Sequence, residues 1–587
     1  MAHDRIWDEA RRELAGLPGG RGLNIAHEAV DRHAAGPRRD HVALRCHRRD
    51  GRVEALTYAE LAAATDRFTH VLAGLGVGPG DRVATLLGPG VEHQVAVLGT
   101  LKAGAVACPL FASFGPEPVR ERTARAAARV LVTTPGLHRR KVAPVRPRLP
   151  RLEHVLLVDG GGPAGTTDAG DGAVALTRLL AEAPADWTIP PTDPGAEALV
   201  HFTSGTTGTP KGAVHVHETV VAHRATAAWA LGLGPEDVFW CTADPGWVTG
   251  TSYGVVAPLA HGATNVVLEG RADPARWCGT LASAGVTVWY TSPTALRLLA
   301  RAGDDLLRGH DLGRLRLVAS VGEPLDADLA AWARRALGAP VVDTWWQTET
   351  GGIMVATPLD GTAPAGSLGR PLPGVEAAVL ALGDDGRAVV RDGRVRPVEG
   401  PGIEGELALR AGWPSMFRTY LGDEARYGAC FAGGWYLTGD LVRRDADGWL
   451  WFVGRADDVI NTAGHLVGPV EVEGVLRRHP AVAEAAAFGV PDPVAGEAVA
   501  AAVVPAPGAE PGDALRAELL AHARRHLGPG VAPRSVDFVT ELPRTESGKI
   551  VRRALRAAGV PSTPPTTGGA AMTPDRRDRP AAGGEAR

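Results

Sequence analysis

TSGTTGTPKG, residues 203–212, directly follows the strand-like run Ala198–Phe202. Its three glycines let the backbone take positive φ and present N–H groups, its Thr and Ser hydroxyls add donors, and Lys211 supplies a cation. Such a loop suits a polyphosphate. It is not a Walker loop, which needs Gly-Lys-Ser/Thr in succession, because Pro210 precedes Lys211 and Gly212 follows it. An ordinary Gly/Thr linker does not combine this spacing with a lysine, and lysine is rare here. Of 62 basic side chains only Lys102, Lys141, Lys211 and Lys549 are not arginine. The two cations differ in shape, hydration and pKa range, so a lysine surviving this bias marks a place for a compact ammonium.

Upstream of the loop, short apolar runs (83–87, 105–110, 130–133, 155–158) alternate with helix-length segments such as 91–103 and 117–128. That rhythm predicts βαβ units and a parallel sheet. Residues 159–195 turn to Gly, Pro, Asp and Thr and read as a surface connection. Beyond Arg455, a helix over 471–478, strands at 482–488 and 499–505, and a helix over 513–526 predict a compact α+β unit of roughly a hundred residues. Residues 561–587 carry too few apolar side chains to offset chain entropy and are expected to be disordered. The expectation is an α/β protein with a large N-terminal domain of layered α/β subdomains, 1–455, and a small mobile α+β C-terminal domain, 456–560.

The 587 residues carry 62 basic and 66 acidic side chains, a net charge of −4. No global field recruits nucleic acid or an anionic membrane, so any phosphate site is local. No apolar stretch is long enough to cross a bilayer, and the start MAHDRIWDEARRELAG lacks the apolar core of a signal peptide, which predicts a cytoplasmic protein. Cysteines 46, 108, 241, 278 and 430 form neither a CxxC pair nor a zinc pattern and read as small buried apolar residues.

Further segments carry polar runs that packing alone does not explain: SVGEP (320–324), DTWWQTETGG (343–352), WYLTGD (435–440), GRADDVINTAG (454–464) and LPRTESGKIVRR (542–553). With the 203–212 loop these resemble, in order, the signatures of the adenylate-forming superfamily of acyl-CoA synthetases, luciferases and peptide-synthetase adenylation domains. The resemblance covers about residues 24–557. Residues 237–263 and the WWQTETGG run look most like the acetyl-CoA synthetase branch.

The resemblance implies a ligase that joins a short carboxylate, acetate first, to coenzyme A through an acyl-adenylate, using ATP, Mg²⁺ and coenzyme A. Thr203, Ser204, Gly205, Thr206, Thr207, Gly208 and Lys211 would hold phosphates, and Gly322, Glu323 and Pro324 would meet adenine. Asp343, Thr344, Trp345, Gln347 and Thr348 would line the nucleotide, and Glu349 would bind Mg²⁺. Asp440 is suited to accept from both ribose hydroxyls, with Arg455 beside it. Asp457 would be the hinge between the domains. Lys549, on the C-terminal loop, would be catalytic with Lys211 and Glu349, its ammonium orienting the carboxylate and stabilising the α-phosphate. Val248, Thr249, Val321 and Trp346 would form the acyl pocket; Arg122 and Gly464 would meet coenzyme A. One departure stands out: Leu466 occupies a position where the family commonly has a phosphate-binding arginine.

The same resemblance admits a propionyl-, medium-chain or aryl-CoA ligase, an adenylation enzyme loading a carrier protein, or a non-catalytic nucleotide-binding homologue. The implied partners are small molecules (carboxylic acid, ATP, CoA), not nucleic acid or membrane, together with lysine-modifying enzymes acting on Lys549. A monomer or small homo-oligomer is expected.

Overall fold

A computed structural model of the chain describes residues 2–158, 172–203, 210–270, 273–383, 386–398, 400–456, 458, 460–462, 465–492, 496–527, 532–545 and 549–557. Outside them lie Ser204, Gly205, Thr206, Thr207, Gly208, Asp457, Gly464 and the tail expected to be disordered, 561–587.

The predicted parallel sheet is present. Arg82–Leu86, Val106–Leu110, Val130–Thr133, His154–Leu157 and Glu197–Thr203 run parallel and are almost wholly buried. Strands covered on both faces read as unbroken apolar runs, which is why they are visible in the sequence. At one edge Glu197–Thr203 turns antiparallel to Lys211–Val216, with Thr203 opposite Lys211, and Thr419–Tyr420 completes that edge. The ladder therefore joins the two ends of the 203–212 segment.

At the opposite edge the expectation of a plain surface connection over 159–195 fails. Ala173–Ala175 adds a strand and Leu176–Glu182 forms a helix. Leu176, Leu179 and Leu180 repeat at helical spacing and pack on the core, a signal masked by the Gly- and Pro-rich residues around them.

A second sheet, of nine strands among the described residues, has six parallel strands in the order Val341–Trp345, Leu317–Val321, Val288–Thr291, Val238–Cys241, Thr264–Leu268, Val42–His47. In open α/β sheets ligands gather beyond the carboxyl ends of the strands. Here those ends are Trp345, Val321, Thr291 and Cys241, each leading into a segment singled out below. An antiparallel sheet follows, in which Trp435–Arg444 pairs with Leu450–Arg455 and sets Asp440 opposite Arg455.

The C-terminal unit has the predicted α+β composition. Gly496–Pro505 pairs with Val482–Asp492 and Ser535–Phe538, and the helices Pro469–Arg477 and Asp513–Leu527 pack on them through Val472, Leu476, Leu519 and Val536.

Two of the rare lysines are structural. Lys102 is fully buried, 2.5 Å from Asp31 and 2.6 Å from Asp66, and Lys141 donates to the Ala112 carbonyl at 2.6 Å. Cys46, Cys108 and Cys278 are buried as expected, whereas Cys241 and Cys430 are only half-buried. Among the described residues no helix is long and apolar enough to cross a membrane.

Candidate active site

The loops that leave the central strands enclose a cavity of about 150 Å³. Its wall takes Tyr290 and Ser292 from the end of one strand, Val321, Gly322 and Glu323 from the next, and Asp244 and Trp247 from a third. Phe111, just after Leu110 of the other sheet, closes it. Gly322 has φ +90°, and a Cβ there would lie 2.5 Å from the Trp247 ring, so no other residue fits that turn unchanged.

A buried carboxylate, Asp440, organises three of the other predicted residues. Asp440 Oδ2 accepts from Trp345 Nε1 at 2.8 Å and from Gln347 Nε2 at 2.9 Å, and Oδ1 accepts from Arg455 at 2.7 Å. Gln347 is fixed at both ends of its amide, donating also to the Thr438 carbonyl and accepting from the Tyr436 hydroxyl at 2.7 Å. Since each carboxylate oxygen has two lone pairs, Oδ2 is filled and Oδ1 retains an acceptor direction.

The turn that carries Glu349 is held from below. Gly351 has φ +67°, and a Cβ there would be 2.2 Å from the Ser415 carbonyl. The Thr350 carbonyl accepts from Trp413 Nε1 and Ser415 Oγ, and the Gly351 carbonyl accepts from His223 Nε2 at 2.8 Å. A carbonyl only accepts, so these bonds fix the His223 tautomer.

The Tyr420 hydroxyl donates to Glu349 Oε1 at 2.6 Å. Lys211 Nζ stands 5.2 Å from the centre of the same ring. Burial lowers the Lys211 pKa, and Glu349 opposes that shift. Tyr420 thus joins the two residues expected to handle phosphate and metal.

Lys549 heads into this group from the C-terminal unit. Its backbone closes a turn with Thr545, and the unit is tied down by Arg301 to the Ala483 carbonyl and Arg477 to Asp326. The residue keeps access to solvent; crowding by nearby protein atoms and then Arg455 lower its pKa, while Asp440, Glu349 and Glu323 pull it upward. One ammonium shares the field of three carboxylates from separate elements.

The other predicted residues are distributed as follows. Glu323 is held by Thr294 at 2.5 Å and Arg297 at 3.0 Å. Asp343 is buried, and burial pushes its carboxyl up to about 7. Val321 lines the cavity; Val248 and Thr249 are buried just after Trp247, and Trp346 reaches the wall through Tyr290 at 3.0 Å. Pro324 and Thr348 are half-buried neighbours of these groups. Arg122 packs 4.2 Å over Phe114, which meets Phe111 of the cavity wall, and donates to the Pro118 carbonyl of its own helix. Leu466 lies in a strand opposite Asn461, its side chain outside what is described.

Sequence reasoning missed Tyr290, Tyr420 and Tyr436. The chain has only six tyrosines, so the rarity argument that singled out lysine applies equally to them.

Comparison with known proteins defines the class. The family described as AMP-binding enzyme matches residues 30–421, and its C-terminal domain matches residues 471–549. The chain belongs to the AMP-binding enzyme family. Within it, the acetyl-coenzyme A synthetase of Bacillus subtilis (strain 168) is 42% identical over 94% of this chain and 93% of its own length. That of Streptomyces coelicolor is 40% identical over 91% and 83%. A Brucella canis acyl-CoA synthetase matches in structure with TM-score 0.70 and 34% identity, over 94% of this chain and 96% of that one. An anthranilate CoA ligase solved with anthranoyl-AMP matches with TM-score 0.80 and 28% identity, over 92% and 97%.

Proposed function

We propose that this protein is an AMP-forming acetate–CoA ligase. Acetate attacks the α-phosphorus of ATP to give acetyl-adenylate and pyrophosphate, and the thiol of coenzyme A then displaces AMP. The observation that carries the reading is the Asp440 carboxylate, held by Trp345, Gln347 and Arg455, together with the Glu349–Tyr420–Lys211 group. One group offers an acceptor for ribose hydroxyls, and the other offers a carboxylate for a metal beside a cation for phosphate.

In the first step the three donors of Lys549 orient the carboxylate and stabilise the charge that grows on the α-phosphate. Lys211 and the 203–212 loop hold the outer phosphates, while Asp440 and Arg455 orient the ribose. Glu349 offers one oxygen free of the Tyr420 bond. Among the described residues no group of three or more His, Cys, Asp or Glu could hold a metal ion. One carboxylate plus substrate phosphates is how Mg²⁺ is usually held, so the residues fit. When bound, Mg²⁺ neutralises charge on the leaving pyrophosphate.

For the second step the C-terminal domain, 456–560, turns about Asp457 against 1–455, withdrawing Lys549 and presenting the Gly464 side to coenzyme A, which Arg122 of the large domain would also meet. The proposed setting is the cytoplasm. Acylation of Lys549 by a modifying enzyme would remove the charge its role requires.

The identity to acetyl-coenzyme A synthetases over most of the chain favours a short acid over medium-chain or aryl acids. Coenzyme-A-dependent AMP release with acetate, propionate, hexanoate and benzoate tests this. Acetate is expected to give the highest kcat/KM; a preference for hexanoate or benzoate would overturn the acetate assignment. Pyrophosphate exchange with none of the acids would overturn the enzyme itself.

Tyr420→Phe tests the metal side. Loss of a hydrogen bond to a charged group, about 1.5–3 kcal/mol, should raise the Mg²⁺ concentration for half-maximal pyrophosphate exchange about tenfold. Mn²⁺ binding measured by electron paramagnetic resonance should weaken in parallel. An unchanged Mg²⁺ requirement would mean that Tyr420 does not orient Glu349.

A further inference from the structure

We infer that Tyr290 sets the length of acid the enzyme accepts, by anchoring the indole of Trp346 through a hydrogen-bond chain in which each proton has only one possible direction. The inference rests on the acetate-activating reading and adds to it a positioning residue.

The chain ends on a backbone carbonyl. Thr344 Oγ1 lies 2.7 Å from the Ser320 carbonyl oxygen, which can only accept, so the Thr344 proton is committed there. Tyr290 Oη lies 2.8 Å from Thr344 Oγ1 and must therefore donate to it. Trp346 Nε1 lies 3.0 Å from Tyr290 Oη, and an indole nitrogen only donates. The order Trp346 to Tyr290 to Thr344 to Ser320 is thus forced.

This chain crosses three adjacent parallel strands, whose register places Thr291 beside Ser320 and Val321 beside Thr344. Tyr290, Thr344 and Ser320 are buried, so water does not compete for the bonds. Tyr290 lines the cavity together with Val321, and Trp346 is joined to that wall through the Tyr290 hydroxyl. The half-buried indole has one further ring contact, edge-on to Tyr253 at 5.1 Å.

Removing the Tyr290 hydroxyl leaves the indole N–H without its acceptor and frees the Trp346 side chain to leave its rotamer. The wall then recedes where an acyl chain longer than acetate would extend. Burial of added methylenes becomes favourable in place of a clash.

The experiment is kcat/KM for acetate, butyrate and hexanoate, with thermal stability, in wild type, Tyr290→Phe, Trp346→Gly and the double variant. Tyr290→Phe is expected to raise the butyrate-to-acetate ratio about tenfold. Trp346→Phe, which cuts the same bond from its other end, should move the ratio in the same direction and serves if Tyr290→Phe does not fold. In the Trp346→Gly background Tyr290→Phe should change the ratio no further, because the group it acts through is gone. An unchanged ratio in folded Tyr290→Phe overturns the inference, as does an equal shift in the Trp346→Gly background, which would mean that Tyr290 touches the acid directly. A wild-type enzyme that prefers hexanoate would defeat the acetate assignment, while the variant-to-wild-type ratio still reports on Tyr290.

Discussion

Lys549→Ala should abolish adenylate formation while conversion of supplied acetyl-AMP and coenzyme A to acetyl-CoA continues nearly unimpaired. Asp440, Glu349, Glu323 and Arg455 all act on the ammonium, and only the first half-reaction needs it in place, because the proposed turn of the C-terminal domain withdraws it before the thiol displaces AMP. Loss of one pre-organised donor to a developing oxyanion costs about 10²–10³ in rate. A full charge that also positions the nucleophile should exceed that. Lys549→Arg should not rescue, because a planar fork cannot replace a compact ammonium. Pyrophosphate exchange measures the first half-reaction and thioester formation from acetyl-AMP the second. If both fell equally in a folded variant, the two-step use of the C-terminal domain would be lost as an account.

Stability should collapse on mild acidification, before most carboxylates begin to titrate. His93, His201, His215, His217 and His223 are all buried, and burial lowers each of their pKa values from 6.5, to about 4 for His93 and His215 and about 3 for His217 and His223. His201 and His93 have no hydrogen-bond partner at either ring nitrogen to offset that burial. The folded form of these groups is neutral, so between about pH 6.5 and 4 the unfolded chain binds more protons and acid favours unfolding. A group shifted from 6.5 to about 4 loses about 2 kcal/mol at pH 5.

Three or four such groups approach the roughly 5–15 kcal/mol that holds a domain together. Asp343 runs the other way. Its carboxyl is pushed up to about 7, so it gains stability as pH falls from 7 toward 4 and offsets about one histidine. Midpoints of thermal unfolding at pH 7.5, 6.5 and 5.0 should fall steeply, and His201→Leu should flatten the slope by removing one titrating group. A midpoint unchanged down to pH 5 would refute the argument.

Both results bear on how much of the molecule was legible in the sequence. Buried parallel strands such as Val130–Thr133 show as continuous apolar runs, and the loops at their ends carry residues with no packing use. Segments of that kind were found directly. What spacing cannot show is convergence: Tyr420 reaches Glu349 and Lys211 from a distant strand of two residues, too short to leave a periodic trace. The helix Leu176–Glu182 was hidden for the opposite reason, its three leucines set among residues typical of loops. The histidines did leave a mark, since His201 and His215 interrupt apolar runs that are otherwise strands. Charge-bearing residue types inside core patterns foretell acid sensitivity even when they suggest no chemistry.

The burial of Lys102 between Asp31 and Asp66 also decides how the protein responds to amine-directed reagents. With only four lysines, one sealed in an ion pair and Lys141 held on the Ala112 carbonyl, side-chain acylation is directed to Lys211 and Lys549. Lys549 is the exposed member of that pair. An N-hydroxysuccinimide ester also labels a free α-amine, so fluorophore located on lysine by peptide mapping is the reporter of the active site, and ATP protection of that label reads nucleotide occupancy.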